Sequence, residues 1–145
     1  MSSLYLLASL AGREIVIPAT HVESVVKVHD IVPVPAVSPQ ICGLFALRSR
    51  VLTLVDCCCF VEGHKCGYQP GQLAIVATID GHHYGLLVDA VHDIITSEEE
   101  PIAATGDLGQ GWSTIGNEMV SIDDGRLVLV MDITNVVNPS QPLAA

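Results

Sequence analysis

The sequence predicts an all-β fold with short helical turns, arranged as two similar units of about five strands that pack against one another. Three observations carry this. Runs rich in Val, Ile and Leu are short and broken by Gly, Pro and Asp, with no amphipathic pattern sustained over a helix. The segment Leu4-Tyr5-Leu6-Leu7-Ala8-Ser9-Leu10-Ala11-Gly12 aligns without a gap on Leu73-Ala74-Ile75-Val76-Ala77-Thr78-Ile79-Asp80-Gly81. At the same offset Ile15, Ile17, Val22, Val25 and Val26 fall on Tyr84, Leu86, Val91, Ile94 and Ile95, and later Arg50 to Asp56 resembles Arg126 to Asp132. Units this small cannot bury a core alone, so the repeat implies that they share one.

The strands follow in order. The first half is expected to form Leu4–Leu10, Arg13–Ile17, Val22–Val28, Gly43–Leu47 and Arg50–Val55. The second is expected to form Leu73–Ile79, His82–Val88, Val91–Thr96, Met119–Ile122 and Arg126–Met131. Ala11-Gly12, Asp80-Gly81 and Asp124-Gly125 mark tight turns; the two Asp-Gly pairs suit the positive φ angles of a two-residue hairpin. Pro33, Pro35 and Pro39 remove ladder donors and make Asp30 to Gln40 a connector. Residues 97–112 read as a second loop, helical turns are expected after Asp56 and Asp132, and the tail from Asn138 to Ala145 is expected to fray. The approximate lobes are 4–66 and 73–137 of a single domain spanning 1–145.

Composition narrows the function. Half of the 145 residues are hydrophobic, enough for one compact domain. No apolar run reaches the roughly 20 residues of a membrane span, and Met1-Ser2-Ser3-Leu4 lacks a basic signal region, so a cytoplasmic location is expected. A net charge of -10 disfavours nucleic acid and anionic lipid as partners. That charge is uneven: residues 1–66 hold five bases and five acids, whereas residues 67–145 hold only Arg126 against eleven acids. The two parts therefore face different neighbours, unless the acids merely solvate a surface.

Catalytic motifs are missing from the chain. It has no Gly-x-Ser-x-Gly elbow, no Gly-rich phosphate cradle and no His-Glu-x-x-His helix. The expectation is a binding protein with no enzymatic activity and no cofactor, although a Cys–His pair distant in sequence is formally available. Cys57, Cys58 and Cys59, with His64 and Cys66, raise the alternative of a thiol- or metal-binding regulatory protein. Their spacing opposes it, because adjacent cysteines do not readily converge on one ion and no Cys-x-x-Cys knuckle is present. They read better as reduced small hydrophobes packing a helical turn. The six histidines follow no ligand spacing. Arg48 ends the apolar run Gly43-Leu44-Phe45-Ala46-Leu47, which places a guanidinium at a turn and suits recognition; Arg50 serves equally well on this ground.

At these residues the chain resembles the CheW-like domain family, whose pattern Gly-x-x-Asn-Leu-Arg-Gly-x-x-x-Pro-x-x-Asp-Leu stands here as Gly43 to Cys57. Gly43, Leu47, Arg48 and Asp56 match, while Ala46, Ser49, Thr53 and Cys57 replace Asn, Gly, Pro and Leu. The resemblance runs nearly end to end, through His21-Val22-Glu23-Ser24-Val25 and, most strongly, through Tyr84-Gly85-Leu86-Leu87-Val88-Asp89-Ala90-Val91. It implies two five-stranded SH3-like β-barrels with a hydrophobic core between them. It implies an adaptor that couples the cytoplasmic tip of methyl-accepting chemoreceptors to the regulatory domain of a CheA-type histidine kinase in chemotaxis. Carried over by position, the receptor-side groove comprises Val22, Ser24, Arg48, Val51 and Ile94; Ser24 stands where many members carry an acid. An adaptor or competitor in another chemosensory pathway, serving surface motility or a second messenger, is the alternative within the binding class.

Overall fold

The computed structural model describes residues 3–34, 38–63, 68–104, 106, 108–109, 111–122 and 125–138. Pro35, Cys66, His64, Asp124 and the tail beyond Asn138 lie outside them. The described strands are β1 (Ser3–Leu10), β2 (Arg13–Pro18), β3 (Val22–Val28), β4 (Ile41–Leu47), β5 (Arg50–Asp56), β6 (Gln72–Ile79), β7 (His82–Leu87), β8 (Ala90–Ser97), β9 (Ile102–Ala103), β10 (Glu118–Ile122) and β11 (Arg126–Val130). Three short helices, α1 (Cys58–Glu62), α2 (Trp112–Ile115) and α3 (Ile133–Val137), join them, and two of these follow Asp56 and Asp132 as expected.

The strands form a six-stranded sheet, β8-β1-β2-β11-β10-β9, and a five-stranded sheet, β3-β6-β7-β5-β4. Set β9 aside and the two orders are the same under the sequence repeat, with β1 matching β6, β2 matching β7, β3 matching β8, β4 matching β10 and β5 matching β11. The correspondence extends to single residues. Leu6 pairs with Ile94 where Ile75 pairs with Val25, and the parallel contact Val130–Val16 repeats Leu54–Gly85. Even the irregularities coincide: β3 is bulged at Glu23 and β8 at His92, the same position of the repeat.

Sequence halves and spatial sheets do not coincide. The six-stranded sheet takes β1 and β2 from the first half and the rest from the second, and the five-stranded sheet takes β6 and β7 from the second half and the rest from the first. The physical reason is a degeneracy of the repeat: Val25 has the same register opposite Ile75 as it would have opposite Leu6, so similarity alone does not choose the partner. After β2, a 3-10 turn at Ala19–His21 carries the chain away from its own hairpin and β3 joins β6. The loop at 97–112 also contains β9, and α2 begins at its last residue; both are too short to leave a periodic signature.

Both sheets curl closed. The bridge Val32–Leu44 brings the chain after β3 back onto β4. Ser97 Oγ donates to the Ser121 carbonyl at 2.7 Å, linking β8 to β10, and β9 pairs with β10 as Val32 pairs with β4. Gly43 is required here: its φ is 151°, and a Cβ would stand 2.4 Å from the Val32 carbonyl oxygen. The hairpins at Ala11-Gly12 and Asp80-Gly81 have positive φ at both positions, the geometry expected of the Asp-Gly pair.

Two cores lie inside the barrels and one lies between them. Tyr5, Leu7, Val16, Val120, Val128 and Val130 fill the first barrel; Phe45, Leu52, Leu54, Ala74, Val76 and Leu87 fill the second. The opposite faces of β1, β2, β6 and β7 supply Leu6, Ala8, Ile15, Ile17, Ile75 and Leu86 to the shared core, sealed by Phe60, Trp112 and Val136 from the helices. Asp89 ties the halves at its edge: its carboxylate accepts from the Ala11 amide at 2.8 Å, and its own amide donates to the Ser9 carbonyl at 2.9 Å. Arg13 lies 4.5 Å over the Trp112 ring and donates to the Leu108 carbonyl, holding the α2 segment down.

Candidate functional site

The β4–β5 hairpin presents the most conspicuous surface. Leu47 pairs with Arg50, leaving Arg48 and Ser49 as a two-residue turn, and Arg48 adopts a φ of 59°. A non-glycine residue there is strained, and its side chain is held out into solvent. Among the described residues no ion pair engages Arg48, whereas Asp56 is buried at the far end of the strand. Val51 follows, 66% exposed, and pairs with the exposed Ala46. Asp30, Ile31, Val32, Leu44, Phe45, Ala46 and Val51 line an open apolar groove of about 400 Å³.

The remaining residues expected at the site divide between the sheets. Val22 is half-buried at the start of β3, against the shared core, and Ser24 is half-buried just past the bulge. Ile94, 60% exposed, stands on β8 at the edge of the other sheet. Four of the five thus belong to elements of the five-stranded sheet; the fifth repeats, on the barrel of the six-stranded sheet, the position of exposed Val25. Exposed hydrophobics recur in such pairs: Val25 with Ile94, Val51 with Leu127, and Val32 with Ile102 on their closing bridges.

Beside the hairpin lies a polar cluster that the motif reading did not isolate. Arg50 Nη2 donates to Glu23 Oε1 at 2.6 Å, Thr78 Oγ1 donates to Glu23 Oε2 at 3.1 Å, and His83 lies within 3.2 Å of both Arg50 and Thr78. Glu23, one residue before Ser24, pairs with Arg50 rather than Arg48. The Arg50 guanidinium, with the Thr78 hydroxyl, holds the Glu23 carboxyl below its ordinary range against a smaller opposing effect of burial. The signal available in sequence was Arg50 itself, two residues from Arg48 on the same hairpin.

The cysteines pack. Cys57 and Cys59 are buried, Cys58 is half-buried, and all three surround the start of α1. Burial, reinforced by neighbouring Asp56, raises the Cys57 thiol far above its ordinary range, which suppresses the thiolate needed for nucleophilic or metal chemistry. Among the described residues no group of three His, Cys, Asp or Glu side chains is placed to hold a metal. Nor is any described helix long and apolar enough to cross a membrane.

Two pseudo-equivalent barrels with paired apolar patches and an exposed arginine define a protein-binding scaffold. The family model described as "CheW-like domain" matches residues 4–141, and the chain belongs to that family. It is 25% identical over 134 residues to "Chemotaxis protein CheW" of Bacillus subtilis (strain 168), covering 92% of this chain and 86% of that one. It is 27% identical over 113 residues to "Chemotaxis protein CheW" of Rhizobium meliloti (strain 1021), covering 78% and 73%. Among solved structures, the scaffolding protein TtCheW from Thermoanaerobacter tengcongensis matches with a TM-score of 0.79 at 22% identity, over 97% of this chain and 90% of that one.

Proposed function

We propose that this chain is a cytoplasmic coupling adaptor that joins the cytoplasmic tip of a methyl-accepting chemoreceptor to the regulatory domain of a CheA-type histidine kinase. The observation that carries the reading is the exposed β4–β5 hairpin, where Arg48 and Val51 project next to an apolar groove. A coiled-coil tip offers an apolar ridge with carbonyls and carboxylates at its end. Val51 and the groove accept the ridge, while the Arg48 fork donates to the oxygens. Val22 and Ser24 extend this receptor-side face along β3, and Ile94 supplies the corresponding apolar position of the other barrel. Two pseudo-equivalent surfaces on barrels that share a core suit bridging, because engaging one leaves the other free.

The test is reconstitution of the purified chain with a receptor cytoplasmic fragment and a CheA-type kinase from the same cell. The expected result is a ternary complex in which the chain increases co-sedimentation of kinase with receptor. Binding to neither partner contradicts the reading. Binding to a receptor without recruitment of the kinase makes the chain a competitor rather than a coupler.

A further inference from the structure

At one end of the first barrel β1 begins and β2 and β11 finish. Tyr5 pairs with Pro18 across β1 and β2, and Glu118, the first residue of β10, pairs with Val130 at the end of β11. An open pocket of about 530 Å³ lies there, lined by Ser3, Leu4, Tyr5, Pro18, Ala19 and Thr20. Leu4 is 55% exposed, which gives the pocket an apolar wall open to solvent. Ser3 pairs with Ser97 at the end of β8, and the exposed run Glu98-Glu99-Glu100 leaves the barrel from that point.

The polar groups of this pocket lack partners. Tyr5 is 4% exposed and belongs to the barrel core, yet among the described residues no hydrogen bond engages its hydroxyl. The tyrosine packed against the second barrel is satisfied by contrast: Tyr68 Oη donates to the Val28 carbonyl at 2.5 Å. Burial, followed by the negative charge of Glu100 and Glu118, pushes the Tyr5 phenol above its ordinary range, so both carboxylates lie on the hydroxyl's side of the ring. Among the described residues neither carboxylate has an ion pair. His21 lines an adjoining depression with Glu118. The arginines of this barrel stand at its opposite end, where β2 and β11 begin: Arg13 lies over Trp112, and Arg126 pairs with Glu14. The arrangement is specific to one barrel, because Ala74 and Gly43 take the positions of Tyr5 and Glu118 in the other.

We propose that this pocket is a second docking site, which takes an arginine side chain presented by a partner protein. The guanidinium sets its donors against the unpartnered Tyr5 oxygen and the Glu100 and Glu118 carboxylates, and its methylene stem lies along Leu4 and Pro18. Arginine suits the site better than a compact ammonium. Its planar fork of five donors serves several oxygens at once, and its weak hydration lowers the cost of entering a half-apolar pocket. The uneven charge of the chain agrees: residues 67–145 hold Arg126 alone against eleven acids, a field that draws a basic partner and repels an acidic one. The site goes beyond the receptor-side reading, since it lies on the barrel that lacks Arg48 and Val51.

The test is amide NMR of the purified full chain, titrated with an acetylated and amidated Gly-Arg-Gly peptide and with its Gly-Gln-Gly counterpart. The Arg peptide should shift the amides of Leu4, Tyr5, Thr20 and Glu118 saturably, with a dissociation constant on the order of millimolar, the scale of a single side-chain contact. The Gln peptide should not. Tyr5→Phe, which keeps the ring in the core, and Glu118→Gln, an exposed replacement, should each weaken the Arg peptide by about threefold or more, the scale of one neutral hydrogen bond or one partly exposed ion pair. Glu62→Gln removes the same charge outside the pocket and should leave binding unchanged. Equal shifts from both peptides would mean apolar adhesion and overturn the proposal. So would shifts that never saturate, or an affinity that falls as far in Glu62→Gln as in Glu118→Gln. Because the probe is neither receptor nor kinase, failure of the adaptor reading and failure of this site are separate results.

Discussion

The two barrels share a register but not a filling. At matching interior positions one has Tyr5, Val16 and Val120, and the other has Ala74, Gly85 and Phe45. The large ring enters from β1 in the first barrel and from β4 in the second, and the strands opposite are trimmed to suit. Gly85 is the clearest trim: a Cβ there would lie 2.6 Å from Cε1 of Phe45. A duplicated backbone thus accepts different distributions of side-chain volume, provided each barrel is filled to interior density.

The largest expected effect breaks the filling of the second barrel. Phe45→Ala should cost about 3 kcal/mol or more, because the emptied space lies between strands that cannot collapse. Gly85→Val, the residue of the first barrel transplanted into the second, should cost about 2 kcal/mol through overlap with the ring. The sharper result comes from combining Gly85→Val with Phe45→Val. The double variant should be more stable than the sum of the singles predicts, by 0.5 kcal/mol or more in a denaturant-melting cycle at about the usual scale for contacting residues. Additive costs would show that the two positions do not share a space.

A second contrast concerns the helices that follow β5 and β11. Asp132 caps α3, its carboxylate accepting from the Asn135 amide at 3.2 Å, whereas Cys57 begins α1 with no side-chain cap. Asp132→Ala should therefore cost about 1 kcal/mol, measured as a loss of thermal stability. The smallest effect lies at the Glu23 carboxylate beside the hairpin. Because the Glu23 carboxyl is held low in the folded state, its contribution is present above the ordinary carboxylate range and is lost as pH falls through the folded value. The melting-temperature gap between the native chain and Glu23→Gln should be positive at neutral pH and close in acid. A gap that widens in acid would reverse the sign of the interaction.

Much of this comparison was written in the sequence. The repeat placed ten strands near their observed positions because side-chain alternation and the turns at Gly12 and Gly81 were preserved together. What it did not contain was the exchange of β3 and β8, since Leu6 and Ile75 present the same register to either partner. The site was legible in part. Arg48 and Val51 were named from a local motif on one hairpin, and both are exposed there. The polar cluster of Glu23, Thr78, His83 and Arg50 was not found, because its members come from four strands and meet only after the exchange. The cysteine cluster is explained by burial: Cys57 enters the shared core and Cys58 packs against it.

The central claim is that the β4–β5 hairpin is a docking surface rather than a structural turn, and Arg48→Glu tests it most directly. The replacement keeps a side chain at the strained φ and removes no ion pair among the described residues, so melting temperature should stay nearly unchanged. Calorimetric titration with the receptor fragment should show a loss of at least about 2 kcal/mol of affinity, the scale of an interface hot spot. Normal receptor binding by Arg48→Glu, or unfolding of the variant, would contradict the account and move the docking surface elsewhere.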